Sequence, residues 1–99
     1  MYFFVLLAHP NPTNAEYGEI DGAYVSCWVN EPTEALAERR ARQTIEELGW
    51  DVDERDQGYM VSRDDYEASS ESLERFDQAL VDGCVLTFHR WPVGAPDED

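Results

Sequence analysis

Residues 84–92, CVLTFHRWP, place a cysteine, a histidine, an arginine and a tryptophan within one short run. Cys84 and His89 are the types that hold a metal or share a proton. Their spacing argues against both. Side chains alternate between faces along a strand, so residues five apart point to opposite sides. Cys84, Leu86 and Phe88 fall on one face; Val85, Thr87, His89 and Trp91 fall on the other. The run reads as the last strand of a sheet, with Cys84 in the core. His9 is the second histidine. It closes the apolar run 2–8 on the face of Phe3, Val5 and Leu7. If these two strands neighbour each other, His9 and His89 approach, with Tyr24 or Trp28 nearby. Two histidines without a third ligand make a poor zinc site, so no metal and no cofactor is expected. His9 or His89 as an acid–base residue of a small enzyme or ligand-binder is the alternative kept open.

Other candidate chemistry is weaker. DVDERDQG, residues 51–58, suggests a calcium loop, but Arg55 and Asp56 stand where an oxygen ligand and a glycine are needed. Arg39, Arg40 and Arg42 form a possible anion patch on the first helix. Glu38, Arg42 and Glu46 also share one i, i+4 row, the pattern of a salt-laced solvent face. No G-x-S-x-G elbow and no glycine-rich phosphate loop occurs.

The elements that must position these residues follow from periodicity and breakers. Tyr2 to Ala8 is apolar on both faces, as a central strand or one covered on both sides is. Pro10 and Pro12 end it. Ala23 to Asn30 alternates, with Ala23, Val25, Cys27 and Val29 on a core face and Tyr24, Ser26 and Trp28 on the other. A helix follows from Pro32 to about Leu48, with Ala37, Ala41, Thr44, Ile45 and Leu48 as its inner stripe and Gly49 beyond its end. Trp50 opens a strand whose Asp51, Asp53 and Glu54 mark a sheet edge. Gln57-Gly58 reads as a turn, and Tyr59 to Ser62 as a short return strand. Ser62, or Ser69 or Ser70 after a break, caps a second helix with Leu73, Phe76, Ala79 and Leu80 inside and Gly83 at its end.

This order suggests an α+β fold: two helices packed on one face of a mostly antiparallel four- to five-stranded sheet, ferredoxin-like in arrangement (β-βαβ-βαβ). Residues 1–93 form a single domain, and 94–99 an acidic, flexible tail. The helix-free face then presents Tyr24, Trp28, His89 and Trp91 as an interaction face.

Composition sets the surface. The 99 residues carry 22 acidic side chains against 7 basic ones, a net charge of −15, and all seven cations are arginine. Such a surface repels phosphate backbones and anionic membranes, so neither nucleic acid nor membrane is an expected partner. It fits a surface solvated for high salt, an acidic face for a basic protein partner, or drift in composition. Cys27 and Cys84 are too few for a disulfide framework. The N-terminal run has no basic flank of the kind that marks an export signal. A cytoplasmic location with reduced thiols is expected.

Together these readings describe a small non-enzymatic protein-interaction module that forms a homodimer through its open aromatic face. An acidic inhibitor or immunity-type protein that binds a basic partner is the other alternative. The charge itself has a consequence. The folded chain repels itself, and salt shortens the reach of that repulsion to about 10 Å near 0.1 M. The melting temperature should therefore rise from low to moderate sodium chloride. A flat or falling curve would mean that local pairs already balance the acidic residues.

Overall fold

The computed structural model describes residues 1–94. The expected acidic tail, apart from Gly94, lies outside the described residues. Four strands and two helices follow one another as β1 (Tyr2–Pro10), β2 (Ile20–Val29), α1 (Glu34–Glu47), β3 (Trp50–Met60), α2 (Glu71–Asp82) and β4 (Cys84–Pro92). The fold is α+β. All neighbouring strands are antiparallel, in the order β3-β1-β2-β4. No helix among the described residues is long and apolar enough to cross a membrane.

Local chemistry sets most boundaries. The Thr33 side chain accepts from the Leu36 amide at 3.2 Å and caps α1, so Pro32 stands just before the helix rather than in its first turn. Gly49 follows the helix with φ of 88°, a conformation that costs glycine nothing. The Ser70 hydroxyl accepts from Leu73 at 3.1 Å to start α2, and Gly83, also with φ of 88°, ends it. Ser62 opens only a single 3-10 turn, Arg63–Asp65.

The expected turn at Gln57-Gly58 is absent. Residues 50–60 run as one strand, with register shifts opposite Val5/Leu6 and Leu7/Ala8. Gly58 is there for a different reason. The Arg55 guanidinium folds over it, in space that a Cβ would take from this flexible side chain, and donates to the Gly58 carbonyl at 3.0 Å. The described residues therefore form four strands, the lower of the four to five expected; the α+β class with two helices and an antiparallel sheet holds, and the ferredoxin-like arrangement is not confirmed by the strand order.

The helices lie on opposite faces of the sheet, which corrects the expectation that both share one. α1 buries Ala37, Ala41 and Ile45 against Phe4, Leu6, Ala8, Val25, Cys27 and Val29. α2 buries Phe76 and Ala79 against Trp28 on the other side, with Phe3 and Val85 beside them. The physical reason is the path of the connections. β2 and β3 run parallel on either side of β1, so the handedness of parallel crossovers governs where α1 sits. β3 and β4 run antiparallel on opposite edges. The chain leaves β3 and enters β4 at the same end of the sheet, and no handedness rule constrains that return. α2 takes the face α1 leaves. Two inner-stripe assignments also fail. Leu48, at the C-cap of α1, is 55% exposed, and Leu80, beside the buried Ala79, is 51% exposed.

Opposite placement predicts independence. Ile45→Val should cost roughly 0.5–1.5 kcal/mol and Phe76→Leu up to about 1.5 kcal/mol. With the whole sheet between them, the double variant should match their sum within about 0.5 kcal/mol in denaturant unfolding. A larger coupling would mean that the two packed layers communicate through the sheet.

Candidate functional site

α2 is shorter than the sheet it covers. Its 12 residues span about 18 Å, whereas the 10 residues of β2 extend about 33 Å. The half of this face near Cys84 and Met60 is covered, and the half near His9 and Trp91 is left partly open. The four residues of the expected interaction face divide accordingly.

Trp28 lies under α2, only 6% exposed. Its indole Nε1–H donates to the Tyr66 hydroxyl at 3.1 Å, and Phe3 meets it edge-on at 5.0 Å between ring centroids. Trp28 is therefore core. Tyr24 is 43% exposed and packs on Trp91, centroid to centroid 5.4 Å. The Trp91 ring lies flat against Gly22, close enough that a Cβ there would strike it. His89 is exposed, opposite Tyr24 in the ladder. A cleft of about 220 Å³ opens where α2 begins, lined by Phe3, Ser26, Trp28, Arg75, Thr87 and His89. Arg75 Nε donates to Thr87 Oγ1 at 3.3 Å across it.

His9 and His89 do not meet. β2 lies between β1 and β4, and Tyr24 stands between the two histidines' rows. His9 instead faces the acidic edge strand. Its Nδ1 is 2.8 Å from the Asp53 carboxylate and its Nε2 is 3.6 Å from Asp51. The hydrogen bond to Asp53, with the charges of both aspartates, raises the His9 pKa above the ordinary histidine value. Only Nδ1 makes a hydrogen bond; Nε2 is too far from Asp51 for one, and the side chain is 45% exposed. The arrangement ties β1 to β3. Both aspartates lie in the run read as a solvated acidic edge. Only the β1–β3 register shows that they pair with His9.

The arginines of the possible anion patch are mostly engaged. Arg40 pairs with Glu31 at 2.6 Å and also donates to the Asp82 carbonyl. Arg42 pairs with Glu38 at 3.0 Å. Arg39 is exposed. Cys27 is fully buried, and burial pushes its thiol pKa well up. Cys84 is half-buried on the same face, and both thiols are free. Among the described residues no three His, Cys, Asp or Glu side chains are grouped to hold a metal ion. Comparisons with protein-family models, curated proteins and solved structures give no match to the chain.

The His9 cluster has a pH signature. Because its folded pKa is raised, it stabilises fully below the unfolded value of about 6.5 and fades as pH rises through the folded value. The side chain is 45% exposed, so solvent screens the effect. Proton NMR should place the His9 midpoint above about 6.5. Wild type should exceed His9→Asn in stability at pH 5.5 by more than at pH 8.5. The opposite trend would mean that the aspartates do not hold the ring in solution.

Proposed function

We propose that the protein is a non-enzymatic interaction module whose partner is basic. The observation that carries this reading is how the cations are used. Arg40, Arg42, Arg55, Arg63 and Arg90 are each held by a carboxylate of the same chain. Five of the seven arginines are thus occupied internally, and among the 19 acidic residues that are described only Glu16, Glu31, Glu34, Glu38 and Asp77 pair with an arginine. Charge of one sign over a small surface steers an oppositely charged protein and repels nucleic acid. The acidic inhibitor or immunity-type role belongs to this class. A reducing compartment such as the cytoplasm suits two unpaired thiols, one of them buried.

Self-association is the second reading, and one observation favours it. Tyr24 is a large aromatic left 43% exposed on the uncovered half of the sheet, with Trp91 and His89 beside it. Such a patch is a contact surface for a second copy. It is smaller than the aromatic face expected from the sequence, because Trp28 is withdrawn from it.

Selection of a random-peptide display library on the immobilised protein at physiological salt separates these readings. Enrichment of Lys- and Arg-rich peptides is the expected result; neutral or acidic winners would overturn the basic-partner reading. Light scattering supplies the second arm. A wild-type dimer that Tyr24→Glu converts to a folded monomer would give the face to a second copy.

A further inference from the structure

The two edges of the sheet are built differently. On β3 the outer edge is obstructed. It carries Asp51, Asp53, Glu54 and Asp56, it is irregular at two places, and Arg55 occupies the Gly58 carbonyl. These are the devices that keep an edge from pairing with another chain. β4 has fewer of them: its register shift lies at its very end, opposite Ile20/Gly22, and its proline, Pro92, is its last residue. Its register with β2 is regular from Trp91 to Cys84, and residues 84–92 contain no acidic side chain.

The register also says which backbone groups are left over. The Asn30 amide donates to the Gly83 carbonyl at 2.8 Å, so 30 and 83 form a hydrogen-bonded pair. Such pairs alternate along an antiparallel ladder. Residues 85, 87, 89 and 91 therefore direct their N–H and C=O groups toward β2. Leu86, Phe88 and Arg90 direct theirs outward. Among the described residues no backbone group outside the ladder bonds to them. A groove of about 970 Å³ runs beside this edge, with Glu74, Asp77, Gln78 and Val81 of α2 on one side and Val85 and Phe88 on the strand side.

The geometry points to β4 as a docking edge for an extended partner segment, added as a fifth strand and carrying basic and apolar residues in alternation. This rests on the basic-partner reading and assigns its site. The alternation follows from the two faces of the edge. Residues of the added strand on the α2 side would face Glu74, where a cation fits; Asp77 beside it on α2 is already paired with Arg63. Those on the α1 side would lie beside Leu86 and Phe88, where apolar groups fit. The groove's two cations do not oppose this: Arg75 is turned to Thr87 and Arg90 is held by Glu16 at 2.8 Å. A second copy fits less well. A two-fold normal to the sheet would set α2 against α2, each with Glu71, Glu74, Asp77 and Asp82 against a single Arg75.

The probe is a short end-capped peptide of alternating lysine and valine, titrated into the isotope-labelled full chain. Free, the Leu86, Phe88 and Arg90 amides should exchange with solvent much faster than those of Val85, Thr87 and His89. Bound, they should become protected. A peptide of the same composition with its lysines and valines in two blocks should bind at least about ten-fold more weakly, and so should an alternating peptide N-methylated along one edge. Glu74→Lys should weaken the alternating peptide. Leu86→Pro removes an outward donor at a position where an edge strand tolerates proline, and should abolish binding. The N-methylated peptide tests the same bonds if that variant fails to fold. Equal affinity for alternating, block and N-methylated peptides overturns the edge site and leaves the basic-partner reading standing. Failure of every cationic peptide overturns both. A wild-type dimer with protected β4 amides, split by Leu86→Pro, would assign the edge to a second copy and overturn the peptide as occupant.

Discussion

The structure depends on β1 being apolar on both faces. Phe4, Leu6 and Ala8 point one way and are fully or almost fully buried; Phe3, Val5 and Leu7 point the other way. A strand of that kind is stable only at the centre of a sheet covered on both sides. β2 and β3 flank it, and one helix covers each face. Phe3 draws Trp28 and Tyr59 around it, at 5.0 and 5.5 Å between ring centroids, and α2 closes over Trp28. Because α2 is about half the length of the sheet, cover on that side is incomplete. The open half with Tyr24 is a by-product of the same constraint.

Charge is organised around the few cations. Arg55 joins β3 to Glu34 and Glu38 of α1 and lies 5.2 Å over the Phe4 ring. Arg90 joins β4 to Glu16 and lies over Phe88 and Trp50, shielding the rim of the α1-side core. Arg40 bridges α1 to Glu31 and to the end of α2. The arginines connect segments distant in sequence, and each such pair is worth little alone at a solvated surface. Their use inside the fold leaves most of the acidic residues among those described without an arginine partner.

Much of this was legible locally. The caps at Ser70 and the glycines after both helices, the acidic edge at Asp51–Glu54 and the core faces of β2 and β4 all follow from neighbouring residues. Side-chain parity in a strand and capping at a helix end are decided within a few positions. Gly58 was misread for the same reason. A glycine after a polar residue signals a turn locally, but here it makes room for the Arg55 side chain. The aspartates beside His9 gave no local signal either, since they lie 42 and 44 residues from it in sequence and only the register brings them near.

The sequence by itself determined the two helices with their glycine ends, the strands β1, β2 and β4 with their side-chain parity, and the sign of the surface. It also held one non-local constraint, in that a strand apolar on both sides needs two covers. Only the tertiary structure decided that α2 crosses the face opposite α1, that Trp28 is core while Tyr24 is surface, and that β4 is an edge strand. Periodicity says which residues share a face, but not which face a connection will cross. The return from β3 to β4 starts and ends at the same end of the sheet, where chain handedness imposes no choice, and packing against Trp28 and Phe3 made it.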